Sequence, residues 1–169
     1  MKEAAENPVE HTARQLADRL QEQGVRTVDF FLHVQDPDWD RRVYSEGASW
    51  KIREILAHFL SSEKGVSRLV ELILQGEPGV PEDFDLDAYN ERKVAQLEGI
   101  APVEILKRFE EARAATISLV RGFSDADLRK TGRHPFLGIA SVEEIIQLMY
   151  RHNQIHQRDI RREISSGSE

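Results

Sequence analysis

The sequence from Ser141 to Ile160, SVEEIIQLMYRHNQIHQRDI, decides the fold. Ser141 is followed three residues later by Glu144, which is the capping-box pattern found where an α-helix begins. The apolar positions after it, at the spacing of one helix face, are Val142, Ile145, Met149 and Ile160. The pattern predicts a long amphipathic helix that ends near Ile164.

Two histidines lie within the apolar stripe of this final helix. His152 follows Ile145 by seven residues, and His156 follows Met149 by seven. Residues four apart on a helix have Cβ atoms roughly 5–6 Å apart, so the two imidazoles can reach one ion. Burying two imidazoles in one stripe is costly unless something binds their ring nitrogens. The spacing alone leaves a metal site and two ordinary half-buried histidines as open alternatives.

Three other long segments show the same helical spacing of apolar residues. They are predicted to run from about Pro8 to Val34, from the N-cap Ser49 to Gly76, and from Pro102 to about Gly122. Residues 86–99 predict a short extra helix, whereas residues 35–48 and 122–140 are expected to be long connections, the second with one helical turn after Ser124. The sequence therefore predicts an all-α, four-helix bundle with long loops between its helices.

Length and charge limit the possible functions. We expect a single domain over residues 1–169, with its core at about 8–164. The formal net charge of −7 argues against binding to nucleic acid or to an anionic membrane surface. The N-terminal residues lack a signal-peptide core and no stretch approaches the ~18 apolar residues of a membrane span, so a cytoplasmic location is expected. The lack of cysteine excludes disulfides, thiolate metal ligands and a cysteine nucleophile.

A third imidazole comes from the second helix. His58 lies at the edge of the apolar stripe, three residues after Ile55, and alone it would be an ordinary half-buried histidine. Together with His152 and His156 it would give a site for Zn²⁺, Ni²⁺ or another first-row ion. Three protein ligands leave an open position for water or substrate, which is typical of catalytic sites.

Two carboxylates could support these histidines. Glu63 follows Phe59 by four residues on the stripe of the second helix. It either hydrogen-bonds a metal-binding histidine or is the buried partner of a basic or hydroxyl group, and we favour structural support over a role as general base. Asp159 follows His156 by three residues and could hold a histidine ring, although a surface pair with a nearby arginine is the expected role.

Four stretches resemble a known family. They are SWKIREILAHFL at 49–60, DFDLDAYNERKVA at 83–95, TGRHPFLG at 131–138 and HNQIH at 152–156. In this order they resemble the DinB-like superfamily of four-helix metalloproteins, which includes YfiT-like proteins and thiol-dependent S-transferases. The resemblance implies a helical bundle, a divalent metal that is often zinc or nickel, and a homodimer. The family pattern of metal ligands maps onto His58, His152 and His156.

The leading hypothesis is a metal-dependent enzyme that activates a low-molecular-weight thiol for S-transfer to a small molecule. Because the chain has no cysteine, the thiolate would come from a cosubstrate. A hydrolase that uses a metal-bound water and a non-enzymatic, metal-stabilised stress or binding protein remain alternatives. Candidate substrate-pocket residues in the long connections are Tyr89, Asn90, Arg92 and His134, although simple packing of these loops is equally compatible with the sequence.

Overall fold

The computed structural model describes residues 9–166, which form six α-helices, one 3-10 helix and two strands. The helices are α1 (Ala13–Leu32), α2 (Ile52–Leu74), α3 (Leu86–Ala95), α4 (Pro102–Arg121), α5 (Asp125–Arg129) and α6 (Val142–Ser166), and the strands are β1 (Thr131–His134) and β2 (Gly138–Ser141). The long helices pack side by side, and both α1 and α2 contact both α4 and α6. The predicted four-helix bundle with a short extra helix is confirmed.

Helix α1 begins at a different residue from the one predicted. It starts at Ala13, because the Thr12 hydroxyl accepts the Gln15 N–H and the Gln15 side chain accepts the Thr12 N–H. Pro8, the predicted start, lies outside the described residues. Position 12 therefore contains a capping box that the apolar spacing did not reveal.

Helix α2 also begins later than predicted. It starts at Ile52, and its N-cap is Lys51, so the prediction that Ser49 caps it was wrong. The Ser49 carbonyl and hydroxyl accept hydrogen bonds from the Arg42 guanidinium, and Arg42 pairs with Lys51 in an isolated antiparallel bridge. These contacts hold the chain extended up to residue 51, so helical geometry begins only after it.

Two other predicted helix starts are confirmed. Pro102 occupies the first turn of α4, where its missing N–H costs nothing. At α6 the Ser141 hydroxyl accepts the Glu144 N–H, and the Glu144 carboxylate accepts the Ser141 N–H at 2.7 Å. The stretch that opened the sequence analysis therefore forms the capped helix that its pattern predicts.

An antiparallel hairpin of β1 and β2 spans residues 131–141, and all but its last residue belong to the stretch that was predicted to be a connection. The Arg133 N–H donates to the Pro78 carbonyl at 2.8 Å, and the Val80 N–H donates to the Arg133 carbonyl at 3.0 Å. These bonds fasten the hairpin to the segment after α2. Strands of four residues are too short for their alternation to stand out in a sequence.

The core consists of two apolar clusters that follow one another along the helices. Leu20 and Met149 belong to one cluster, and Phe31 and Ile160 belong to the other. Between them all four long helices carry buried polar residues, which we call the polar layer: Gln23, Thr27, Glu63, Arg113, Thr116, Asn153 and Gln157. Within residues 9–166, no helix is both long enough and apolar enough to cross a membrane.

Candidate metal centre

Three histidines from two helices meet at the polar layer. His58 belongs to α2, and His152 and His156 belong to α6. The Nε2 atom of His152 lies 3.1 Å from Nε2 of His58 and 2.9 Å from Nε2 of His156. One nitrogen from each ring lies within 4.8 Å of the others. The structure thus brings together the three residues that the sequence selected.

Burial keeps these imidazoles uncharged. It lowers the pKa of His58 to about 2, with a further contribution from the neighbouring histidines. Burial likewise lowers the pKa of His152 to about 3 and that of His156 to about 4. All three rings are therefore neutral near pH 7, which is the protonation state in which imidazole binds a metal.

Tyr44 and Asp159 fix the tautomer of His156. The Tyr44 hydroxyl donates to Asp159 Oδ2 at 3.0 Å, and its oxygen lies 2.7 Å from Nδ1 of His156. Burial and this carboxylate raise the pKa of Tyr44, so the hydroxyl keeps its proton. Because that single proton is given to Asp159, Nδ1 of His156 must be the donor in the second bond. The Nε2 lone pair of His156 is then free to face the other two histidines.

The donor set fits a divalent first-row ion. A single N–H proton can bridge only one pair of three converging nitrogens, whereas one ion can bind all three. Neutral imidazoles are common ligands of zinc and nickel, and a three-histidine set leaves further coordination positions open. The Trp50 ring lies against His58, with 4.7 Å between the ring centroids, and restricts its orientation.

A largely apolar cavity of about 520 Å³ adjoins the histidines. His58 and His152 lie on its wall, together with apolar side chains from α2, from α6 and from the connection that includes α3. Its volume is within the roughly 300–1,000 Å³ that is usual for small-molecule sites. Two of the three histidines therefore border a space that is large enough for a small molecule.

The structure places three of the four predicted pocket residues on this wall. They are Tyr89, Asn90 and His134. Arg92 lies outside the lining, exposed, with its guanidinium carbon 5.9 Å from the Tyr89 ring centroid. His134 was expected in a loop, but it ends β1 and is 5% exposed.

Glu63 has the second of the two roles that the sequence left open. Its carboxylate oxygens accept from Nε and Nη2 of Arg113 at 2.9 and 2.8 Å, and both side chains are 3% exposed. Arg113 also donates to the Leu20 carbonyl at 3.1 Å. Glu63 is therefore the buried partner of a basic group. Arg113 could have been found from its position on the buried face of α4, between Phe109 and Thr116.

The sequence analysis missed both Tyr44 and the unpaired amide nitrogen of Asn153. Tyr44 lies in an irregular segment, 112 residues before its partner His156, so no periodicity marks it. Asn153 is 4% exposed and lies on the cavity wall, and its Nδ2 has no hydrogen-bond partner. Its position next to His152 on the buried side of the last helix was the only available signal.

Solved structures share this architecture at low sequence identity. YfiT from Bacillus subtilis, described as a probable metal-dependent hydrolase with an unusual four-helix bundle topology, superimposes with a TM-score of 0.79. It is 17% identical, and the alignment covers 99% of this chain and 94% of YfiT. The mycothiol-dependent maleylpyruvate isomerase gives a TM-score of 0.70 at 14% identity, over 89% of this chain and 61% of the isomerase.

A further structural relative was solved with a nucleic acid. The colibactin self-resistance protein ClbS, in complex with double-stranded DNA, gives a TM-score of 0.69 at 11% identity, over 93% of this chain and 96% of ClbS. No curated protein matches this sequence. The family model described as the DinB superfamily matches residues 9–160. The chain therefore belongs to the DinB superfamily.

Proposed function

We propose that this protein binds a divalent metal at His58, His152 and His156 and is an enzyme that activates a low-molecular-weight thiol for S-transfer to a small molecule. One observation supports the proposal above all others: three neutral imidazoles converge through Nε2 atoms 3.1 and 2.9 Å apart, beside an apolar cavity. A divalent ion held there lowers the pKa of a coordinated thiol or water and so supplies a nucleophile at neutral pH. Zinc or nickel suits this set of ligands.

The surrounding residues orient the ligands and limit access of water. Tyr44 and Asp159 hold His156 in the tautomer that presents Nε2. Trp50 packs on His58, and the ring centroid of Phe59 lies 5.8 Å from that of His156, so aromatic rings cover part of the ligand set. A cosubstrate would therefore approach from the cavity, whose wall includes His58 and His152.

Thiol activation is favoured over hydrolysis because both carboxylates considered for the site are engaged elsewhere. Glu63 binds Arg113 with both oxygens, and Asp159 accepts the Tyr44 proton. With neither carboxylate free to act as a general base, the nucleophile would have to be deprotonated through the metal alone, and a thiol, whose ordinary pKa is far below that of water, needs the smaller shift. The thiol dependence of the maleylpyruvate isomerase gives independent support through the shared fold.

Metal-dependent hydrolysis is the second candidate, because YfiT is described as a probable metal-dependent hydrolase. A non-enzymatic, metal-stabilised protein is the third. The coordination sphere separates the third candidate from the others: a fourth protein ligand indicates a structural site, and an exchangeable water indicates a catalytic one. X-ray absorption spectroscopy of the metal-loaded protein measures this directly.

The first test is metal content. Elemental analysis of the purified protein should find about one zinc or nickel ion per chain. His152→Ala and His156→Ala should lose the ion on gentle dialysis, and His58→Ala should weaken binding while the bundle stays folded. His33→Ala is the matched control, because His33 is exposed at the end of α1. Full metal retention by the first two variants would contradict the assignment.

The second test is activity. The metal-loaded protein should transfer thiols, including mycothiol and cysteine, to a panel of small electrophiles, and His152→Ala should not. Release of acids from esters or amides without any thiol would instead favour hydrolysis. No turnover in either assay, with a closed four-ligand site, would favour the non-enzymatic protein.

The predictions about nucleic acid, homodimer formation and location are independent of the metal site and are tested separately. The net charge of −7 predicts that the protein does not bind nucleic acid, and a DNA-binding titration tests this because ClbS was solved with double-stranded DNA. The homodimer follows only from the family resemblance, and sedimentation velocity tests it. The cytoplasmic location likewise stays a prediction.

A further inference from the structure

The cavity wall carries an N–H donor at His134. Nδ1 of His134 accepts the backbone N–H groups of Phe136 and Leu137 at 3.1 and 3.2 Å. An imidazole nitrogen that accepts two hydrogen bonds has no proton, so in the neutral ring the proton is on Nε2. Burial lowers the pKa of His134 to about 4, so the ring is neutral near pH 7. The turn of the hairpin thus sets His134 as a fixed Nε2–H donor.

Asn153 supplies a second donor on the same wall. Its side chain is almost fully buried, and Nδ2 has no hydrogen-bond partner. A buried donor without a partner costs free energy, so native structures rarely keep one without a reason. Asn153 lines the cavity together with His58, His152 and His134. Nδ2 itself has almost no accessible surface, so a small rotation of the side chain would bring it to an acceptor on a ligand in this cavity.

The rest of the wall limits the chemistry of such a ligand. Most of the remaining lining is apolar and includes Val66, Leu69, Phe84, Leu148, Met149 and Ile155. The Glu63 carboxylate is bound to Arg113, and Arg68 is exposed and pairs with Glu71 at 3.3 Å. A carboxylate placed against the two uncharged donors would gain no opposite charge from them, so only a direct contact with the metal or with Arg68 would offset the cost of burying it. A neutral carbonyl oxygen accepts N–H bonds without that cost.

We propose that the cavity binds an apolar carbonyl compound as the substrate of the metal centre, with its oxygen received by His134 Nε2–H and Asn153 Nδ2–H. The inference deepens the proposed function and rests on it for the role of the bound molecule. Hydrogen bonds to a carbonyl oxygen draw electron density from the carbonyl carbon and make it more electrophilic. The two residues would therefore both select the substrate and prepare it for a nucleophile.

A pair of probes of nearly equal shape tests the binding. 2-Acetylnaphthalene carries a carbonyl group, and 2-isopropenylnaphthalene has a methylene group in place of the oxygen. Titrations use the full chain, loaded with zinc and again after chelation. The wild type should bind the ketone about tenfold more tightly than the alkene, because two hydrogen bonds are made to one and not to the other. The infrared carbonyl stretch of the ¹³C-labelled ketone should move to lower frequency on binding.

Three variants separate the loss of a hydrogen-bond donor from a general disturbance of the cavity. Asn153→Leu keeps the branched shape of the side chain, although its methyl groups are larger, and removes the donor, so it should reduce the ketone preference and the infrared shift. It should also raise the Tm of the ligand-free protein by a few degrees, because a buried unpaired donor is lost. His134→Asn should reduce the preference too, because an asparagine oxygen can accept the turn N–H groups but is too short to replace Nε2. Gln154→Leu, at an exposed neighbouring position on α6, is the matched control and should change neither measurement.

The outcomes separate this inference from the proposed function. Equal binding of ketone and alkene by the wild type overturns the inference, and so does a full preference retained by both Asn153→Leu and His134→Asn. If Asn153→Leu does not fold, His134→Asn alone decides. Zinc binding without ketone preference defeats this inference only, whereas ketone preference without zinc binding defeats the metal centre only.

Discussion

A single hydroxyl group decides how one of the candidate ligands presents itself. Tyr44 is in a segment without regular secondary structure, yet it lies between Asp159 and His156 with contacts of 3.0 and 2.7 Å. The chain from carboxylate to hydroxyl to imidazole is the kind of outer support that metal-binding histidines commonly have. Its effect is to leave the Nε2 lone pair of His156 available to a metal ion bound by the three histidines.

Removing that hydroxyl should weaken metal binding without removing a ligand. We expect Tyr44→Phe to lower zinc affinity by about 10- to 100-fold, the usual cost of losing an outer partner of a ligand. The ring of His156 would then be free to adopt the other tautomer. Competition titration with a zinc chelator of known affinity measures the change.

Tyr89→Phe provides the matched control for this hydroxyl deletion. Tyr89 lies on the cavity wall on α3 and also loses only one oxygen, far along the chain from His156. Its zinc affinity should equal that of the wild type. Equal zinc affinities for Tyr44→Phe and the wild type would show that His156 does not depend on this support.

At the scale of secondary-structure elements, backbone contacts fasten the hairpin to the segment that follows α2. Gly79 has a φ of +96° and bridges to Arg133 in a parallel arrangement. A Cβ atom at Gly79 would lie 2.4 Å from the backbone nitrogen and oxygen of Arg133. Because β1 carries His134, this contact also positions a wall of the cavity.

We expect Gly79→Ala to destabilise the protein more than its backbone angle alone would explain. Gly76 is the matched control, because its φ of +95° is nearly the same and a Cβ there would meet nothing within 4 Å. Gly76→Ala should cost about 1–2 kcal/mol for the left-handed conformation. Gly79→Ala should cost a further ~1–3 kcal/mol from the clash with Arg133. Urea denaturation of both variants measures the difference, and equal losses would show that the close approach is unimportant.

The elements also show what the sequence could and could not predict. The long helices were predictable because apolar residues such as Ile145 and Met149 recur at one spacing over many turns. The same spacing pointed to His58, His152 and His156, because the spacing of residues within one helix determines which side chains share its face. The Tyr44 contact and the attachment of the hairpin to residues 78–80 depend on residues that lie far apart in the chain, and nothing local in their short segments indicates them. The predicted start of α2 was wrong because a side chain outside the helix, that of Arg42, binds Ser49, whereas the start of α1 is set by a local capping box of Thr12 and Gln15.

At the scale of the whole molecule, a polar layer divides the apolar core into two clusters. Its residues satisfy one another in part: Glu63 binds Arg113, and Gln157 donates to Thr27 at 2.7 Å. His58, His152 and Asn153 lie at the side of this layer that faces the cavity. Such a layer adds little stability compared with an apolar core of the same volume.

This arrangement makes the stability of the metal-free protein sensitive to acid. The buried histidines have pKa values below the ordinary 6.5, down to about 2 for His58, because burial disfavours the charged ring. Below pH 6.5 the unfolded chain therefore binds more protons than the folded chain does. The contribution of each such histidine is complete above pH 6.5 and is lost as the pH falls towards its folded-state pKa, by about 1.4 kcal/mol per pH unit.

We therefore expect the unfolding free energy of the metal-free protein to fall steeply between pH 6.5 and pH 4.5, and His58→Phe to reduce that slope by about 1.4 kcal/mol per pH unit. His33→Ala should leave the slope unchanged, because His33 is exposed. Urea denaturation at a series of pH values, with a chelator present, gives each slope. Identical slopes for the wild type and His58→Phe would mean that His58 has the same pKa in the folded and the unfolded chain, so that burial does not keep its ring neutral. The measurement therefore tests, without any metal present, whether the fold holds this imidazole in the neutral state that binds a metal.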